Sequence, residues 1–344
     1  MKVFLTGTEG YIGALLAPVL MERGHEIVGI DAGYYRDGWL YSDSKFFSRA
    51  PLTLNKDLRR VTEADLAGFD AVVHLAELSN DPLGQNNPEN TFKINHQGSV
   101  RLAEAAKRQG VKRFVYTSSC SVYGLGSGEF LTEAGETNPQ TAYAKCKVLV
   151  ERDVSAMADK NFSPVFLRNA TAYGASPRMR FDIVLNNLAG FAFTTKRIAM
   201  VSDGSPWRPI VHVLDICKAV ACALEAPRDS VHNQIFNVGR SDENFRIREI
   251  AEIVASVFPG CQLTVGASGG DHRSYRVSFD KIRDTLPGFS CEWTAEAGAR
   301  QLKAVFDRIA MSPETFEFRA YTRLKQLEYL IKTSQIDDEF FWKY

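Results

Sequence analysis

The chain has 344 residues, of which 45% are apolar and 24% charged, with 41 basic side chains balanced by 41 acidic ones. That balance leaves no net field to draw a polyanion, so neither nucleic acid nor an anionic membrane is an expected partner. No apolar run approaches the ~18 residues of a membrane span, and the six cysteines lack metal-type CxxC spacing and are too sparse for a disulfide framework. A reducing cytoplasm fits this usage, and the opening residues, MKVFLTGTEG, enter a strand with no leader pattern.

Short β-branched runs alternate with longer amphipathic stretches from the start. Strands are expected at Lys2–Thr6, Glu26–Asp31, Ala71–Ala76, Arg113–Ser118 and Pro164–Arg168, with helices at Tyr11–Arg23, Thr91–Gln109 and Thr141–Lys160. The repetition predicts an α/β fold with a doubly wound parallel sheet, and near-continuous apolar strands agree with burial on both faces. Pro18, inside the first helix, removes one helical hydrogen bond and predicts a kink or a local accommodation.

Gly7, Gly10 and Gly13 fall where the first strand meets the first helix. A tight turn, a close backbone approach to a pyrophosphate and a helix packed on a strand each exclude a Cβ, and the helix N-terminus offers free N–H groups to phosphate. The turn Gly7, Gly10, Tyr11, Ile12, Gly13 is therefore a candidate dinucleotide cradle. Asp31, ending the second strand, can accept from the adenosine ribose and repel a 2′-phosphate, which selects NAD over NADP. Asp57 and Leu58, after the third strand region, are either adenine contacts or a solvated turn. Leu75 and Ala76, ending the fourth strand, are expected against the same cofactor. Beyond them, ELSNDP faces the expected ligand, with Ser79 and Asn80 as candidate contacts; Asp81 serves either as another or as the start of a turn before Pro82.

The stretch TSSCSVYG, Thr117–Gly124, ends a parallel strand, where ligands gather in such sheets. Downstream, TAYAKCK places Tyr143 and Lys147 four apart, on one helix face. A phenol with an ordinary pKa near ~10 becomes a usable base beside an ammonium group. Ser119 can hold a substrate hydroxyl in line with it. Cys120 is either a thiolate able to exchange a proton, given a lowered pKa, or a small buried thiol at a strand end.

After residue 168 the pattern loosens into Arg-, Asn- and Pro-rich loops between helices, with one further apolar strand at Gln234–Val238. This predicts a Rossmann domain over 1–168 and a smaller α/β substrate region over 169–344, with a strand near 233–239 returning to the main sheet. SPRMR sets Arg178 and Arg180 near the expected ligand, as anion contacts or as an exposed basic loop. The C-terminal EFRAYTRLKQLEYLIKTSQIDDEFFWKY reads as a helix and an aromatic tail with no chemical signal.

TGTEGYIG, Asp31, HLAELS, Asn95, TSSCSVYG, YAKCK, LRNATAYG, NNL, PWRPIVHVLDI, FNVG and GDHRSYRVSFDK together resemble the extended short-chain dehydrogenase/reductases of the nucleotide-sugar epimerase/dehydratase group, over roughly residues 1–305. The resemblance implies NAD as cofactor, a nucleotide-diphosphate sugar as substrate, and Ser119, Tyr143 and Lys147 in the catalytic places. It also implies substrate contacts at Ser121, Asn169, Asn187, Arg208 and Arg273, and a homodimer through a four-helix bundle of Thr91–Gln109 and Thr141–Lys160. In the dehydratases of this group the two positions after the catalytic Ser or Thr carry acid–base carboxylates; here they are Cys120 and Ser121. The expected reaction is therefore epimerisation through a transient ketone, at C4 or, through Cys120, at C3 or C5. A ketosugar reductase or dehydratase is the alternative, and a non-catalytic nucleotide sensor a third.

Overall fold

The computed structural model describes residues 1–42, 50–79, 87–267 and 273–343. Seven parallel strands form the central sheet: β1 (Lys2–Thr6), β2 (Glu26–Asp31), β3 (Leu52–Asn55), β4 (Ala71–His74), β5 (Arg113–Ser119), β6 (Ser163–Asn169) and β7 (Gln234–Val238). Their order is β7-β6-β5-β4-β1-β2-β3. The sheet runs outward from β1 through β2 and β3, then returns to build the other side from β4. The carboxyl ends of β1 and β4 flank the point where strand order reverses, and that is where a crevice opens in such sheets.

Successive strand residues face opposite sides, and the sequence supplies apolar side chains for both. Val3, Leu5, Val73 and Val115 join Leu15, Leu16, Leu20 and Val220, the buried face of α1 (Gly13–Glu22) and of a helix at Val213–Glu225. Phe4, Val72, Phe114 and Tyr116 join Leu102, Ala106, Val150 and Val154 from α2 (Ser99–Arg108) and α3 (Ala142–Ser155). Pro18 is absorbed: it is buried inside α1, which continues to Glu22. The expected helix Thr91–Gln109 is in three parts, a short turn at Pro88–Thr91, a π-helix at Phe92–Gly98 and then α2.

Smaller sheets follow. Thr171–Tyr173 pairs parallel to Trp207–His212, which pairs antiparallel to Asn244–Arg246; Leu125–Leu131 pairs with Ser274–Val277. The C-terminal helix α4 (Arg323–Lys332) and its tail pack back on the first half, where Leu327, Leu330, Ile336 and Phe340 cluster with Tyr34, Leu78 and Ile94. Among the described residues no helix is long and apolar enough to cross a membrane.

Candidate active site

A cavity of about 750 Å³ opens at the strand-order reversal. Its floor is the glycine turn. Gly7 holds φ at +76°, and a Cβ there would stand 2.9 Å from the Ala76 nitrogen; a Cβ on Gly13 would stand 2.0 Å from the Gly7 carbonyl oxygen. Both positions exclude any larger residue, leaving the backbone of Gly7–Gly13 open to the cavity. The facing edge is fixed by a hydrogen-bond chain. The Thr6 hydroxyl accepts from the Leu75 and Ala76 N–H groups, both at 3.1 Å, and lies 2.7 Å from His74 Nδ1. On the other side of the ring, His74 Nε2 lies 2.7 Å from Ser99 Oγ, which donates to the Asn95 carbonyl. With that serine proton committed, Nε2 is the donor and Nδ1 accepts from Thr6, a neutral imidazole. Burial pushes His74 down to about 3, consistent with a neutral ring.

Asp31 lines the cavity with its carboxylate held by the Gly33 N–H at 2.7 Å and the Glu9 N–H at 3.0 Å. Burial pushes it above the usual carboxylate range, and each oxygen keeps a lone pair for a further donor. Asp57 caps the turn Leu58–Arg60, accepting from the Arg59 N–H at 2.8 Å and pairing with its guanidinium at 2.7 Å; Asp57 and Leu58 both line the cavity. Tyr11, Ile12, Leu75 and Ala76 line it as well.

On the far wall β5 ends at Ser119, whose Oγ accepts from the Ser121 N–H at 3.1 Å and so starts the turn Cys120–Tyr123. Helix α3 starts from Thr141, whose side chain accepts from the Ala144 N–H, and one turn presents Tyr143 and Lys147 to the cavity. The Lys147 ammonium lies 5.3 Å from the Tyr143 ring centroid and donates to the Thr117 carbonyl at 2.5 Å. Its counter-ion is a residue the sequence reading passed over. Glu77 approaches it at 2.6 Å, with side chains only 2% and 4% exposed, and accepts from the Tyr116 hydroxyl at 2.6 Å. Burial raises Glu77 above its usual range, and burial alone would lower Lys147, but the carboxylate outweighs it and holds the ammonium above its ordinary value.

The substrate half is made of side chains. Ser79, Ser121, Asn169, Asn187, Arg208 and Arg273 all line the cavity. Asn169 sits in register with Ser119 across the β5–β6 pair, and Ser121 Oγ and Asn169 Oδ1 are buried with no hydrogen-bond partner among the described residues. Arg208 is braced by the carbonyls of Trp207 and Arg273, and Asn187 by that of Phe181.

Two candidate contacts, Cys120 and Arg178, lie away from the cavity lining, and a third cannot be placed. Cys120 is buried away from the cavity, with its Sγ 3.1 Å from the Arg168 carbonyl and burial pushing the thiol well up, because residues adjacent at a strand end face opposite sides. Arg178 binds the carbonyls of Tyr35, Arg36 and Gly38 and stacks on Trp39, so it staples the loop after β2. Asn80, with Asp81 and Pro82, lies outside the described residues. In place of Arg178, Arg180 lines the cavity, paired with Asp182 at 2.9 Å and donating to Ser79. Arg323 of α4 lines it too, from a segment that carried no chemical signal in the sequence. Glu77 did have a signal, a carboxylate inside the apolar run VVHLAEL.

Residues 3–239 match the sequence profile of the NAD dependent epimerase/dehydratase family. The chain belongs to that family. Among curated relatives of this epimerase/dehydratase, the UDP-glucose 4-epimerase of Corynebacterium glutamicum is 27% identical over 313 residues, 86% of this chain and 91% of that protein. Human UDP-glucose 4-epimerase is 30% identical over 272 residues, 69% of this chain and 77% of that one. In structure, the UDP-glucose 4-epimerase of Thermotoga maritima with UDP-glucose superposes with a TM-score of 0.77 at 21% identity, over 90% of this chain and 100% of that one. The dTDP-glucose 4,6-dehydratase of Streptomyces venezuelae, with NAD bound, gives the same 0.77 at 21% identity, over 90% and 97%. At these identities the likeness shows the fold alone, and epimerase and dehydratase share it equally. The family's cofactor is NAD, and the glycine floor, which any Cβ would fill, fits a dinucleotide.

Proposed function

We propose that the chain is an NAD-retaining nucleotide-sugar 4-epimerase. The observation that carries this reading is the state of the carboxylates on the cavity wall. Among the described lining residues they are Asp31, Asp57, Glu77 and Asp182. Asp31 is held by two backbone N–H groups, Asp57 by Arg59, Glu77 by Lys147 and Tyr116, and Asp182 by Arg180. A dehydratase needs an acid and a base besides its tyrosine, and every one of these groups is already engaged.

An alcohol-to-ketone step needs less. Bound NAD supplies an acceptor for the hydride and, on return, its donor. Tyr143 takes the hydroxyl proton as the ketone forms and gives it back as the alcohol reforms on the opposite face. Lys147 keeps positive charge beside that phenol, and Ser119 hydrogen-bonds the reacting oxygen. The unpartnered Ser121 Oγ and Asn169 Oδ1 await sugar hydroxyls, while Asn187, Arg208 and Arg273 take the nucleotide diphosphate. A C3 or C5 route through Cys120 has no support, since the thiol is turned from the cavity and held protonated.

The division near residue 168 into a cofactor half and a substrate half belongs to this reading, as does a homodimer across α2 and α3. Purified protein should release NAD on denaturation and interconvert two C4-epimeric sugar nucleotides with no cofactor added. A stoichiometric demand for reduced cofactor would replace the proposal with a ketosugar reductase.

A further inference from the structure

Arg323 is 4% exposed and lines the cavity, yet among the described residues its guanidinium makes no ion pair and no hydrogen bond. It lies flat on the Tyr35 ring, 3.8 Å from the centroid. Its backbone N–H reaches Asp182, but that carboxylate is already taken by the Arg180 guanidinium at 2.9 and 3.1 Å. Of the two buried guanidinium groups here, Arg180 holds the carboxylate and Arg323 has no counter-ion in contact among the described residues. Burial and the neighbouring Arg180 push Arg323 down to about 10, as expected of a cation short of an anion. An unpaired buried charge is costly, so a protein that retains one at a cavity wall holds it ready for a ligand of opposite sign.

The surroundings say which ligand. Tyr35 follows β2 and the cavity-lining Asp31, and Arg180 donates to Ser79, just past β4. Asn186 bridges the Tyr11 hydroxyl at 3.3 Å and the Arg180 carbonyl at 3.0 Å, which ties the same patch to the glycine turn. The ends of β1, β2 and β4 enclose the place where a dinucleotide's diphosphate crosses the sheet. Glycine N–H groups serve that anion from the α1 side, and the opposite side carries these two arginines.

We propose that Arg323 donates to the diphosphate of the bound dinucleotide, so that the C-terminal helix, outside the 3–239 family match, completes the cofactor site. The tail beyond it holds that helix to the cofactor half. Trp342 donates to the Ala32 carbonyl at 2.6 Å, Tyr34 to the Phe340 carbonyl at 2.6 Å, and Gln326 to the Tyr34 carbonyl at 3.0 Å. The inference rests on the cofactor lying along the glycine turn and is independent of which sugar is turned over.

The test uses the full chain, stripped of cofactor, titrated calorimetrically with ADP, adenosine and UDP in wild type, Arg323→Gln and Arg323→Lys. Loss of a charge-assisted bond should weaken ADP about tenfold to a hundredfold in Arg323→Gln, less in Arg323→Lys, while adenosine, which lacks phosphate, binds unchanged. The NAD content of the purified variant should fall in parallel. Equal ADP affinity in all three proteins overturns the proposal, and so does a weakening confined to UDP, which would give Arg323 to the sugar nucleotide's diphosphate. A uniform loss of adenosine and ADP would reduce Arg323 to a structural role. Should Arg323→Gln fail to fold, Arg323→Lys decides, since it keeps charge and bulk but not the fork. Failure of wild type itself to bind ADP would instead sink the cofactor reading.

Discussion

Around Gly7, Gly10 and Gly13 the cavity wall is backbone, and a Cβ on Gly7 or Gly13 would press within 2.9 Å of a neighbouring backbone atom. Around Asn169, Asn187, Arg208, Arg273 and Arg323 it is side chains, brought together from segments up to about 150 residues apart in sequence. The first construction leaves no room for a side chain at Gly7 or Gly13 and so fits one ligand shape. The second can be rewritten residue by residue without disturbing the sheet, which is how one fold serves both the 4-epimerase and the 4,6-dehydratase that superpose on it equally well. The tyrosine–lysine pair stands between the two halves and belongs to both.

Substitutions separate these halves, and the largest effect belongs to the junction. Tyr143→Phe should cut turnover by ~10³-fold, within the range for a lost general acid–base, while NAD content stays at the wild-type level. Loss of NAD together with activity would show that the phenol holds cofactor rather than moving a proton. Next comes the backbone half. Gly13→Ala places a methyl 2.0 Å from the Gly7 carbonyl oxygen, so NAD should be lost from the purified protein and Tm should drop by roughly 5–10 °C. A variant that keeps both would mean the turn can relax and is not the fixed element described.

Glu77→Gln is a subtler probe. With its counter-ion gone, burial dominates at Lys147 and lowers the pH at which the ammonium deprotonates. The alkaline limb of the pH–activity profile should therefore move toward neutrality by about one unit or more, with activity near pH 7 changing less. An unshifted limb would remove Glu77 from the chemistry. At the small end, Cys120→Ala should leave turnover within about threefold, as befits a thiol facing the core. A collapse of activity without loss of stability would restore the thiol route. Smallest of all, the imidazole signals of His74 and His212 should stay at neutral positions from pH 8 down to 5, since burial pushes them to about 3 and about 4. Titration of His74 within that range would break the hydrogen-bond chain assigned to the cofactor edge.

The same contrast explains what the sequence disclosed. A backbone cradle demands glycines at fixed short spacing, and an i,i+4 pair on a capped helix is equally local, so Gly7–Gly13, Asp31, Tyr143 and Lys147 were readable from residues alone. The buried strands β1, β2, β4, β5 and β6 announced themselves by apolar runs, whereas β3, a short edge strand with exposed Leu52 and Leu54, has no such pattern. For Cys120 and Arg178, position in sequence does not fix position in space. One residue past Ser119 the side chain faces the core, and two residues before Arg180 it faces the β2 loop. The C-terminal helix had no local signature because its place on the cavity wall comes only from where the fold returns it, beside Tyr35 and Arg180.

The most direct test of the central claim follows the hydrogen itself. A nucleotide sugar deuterated at C4 is incubated with the purified protein and no added cofactor, and the products are resolved by NMR and mass spectrometry. The account predicts both C4 epimers with the deuterium still on C4, because the hydride leaves that carbon and returns to it. Deuterium found at C6 with loss of water, or released only when external cofactor is consumed, would contradict it.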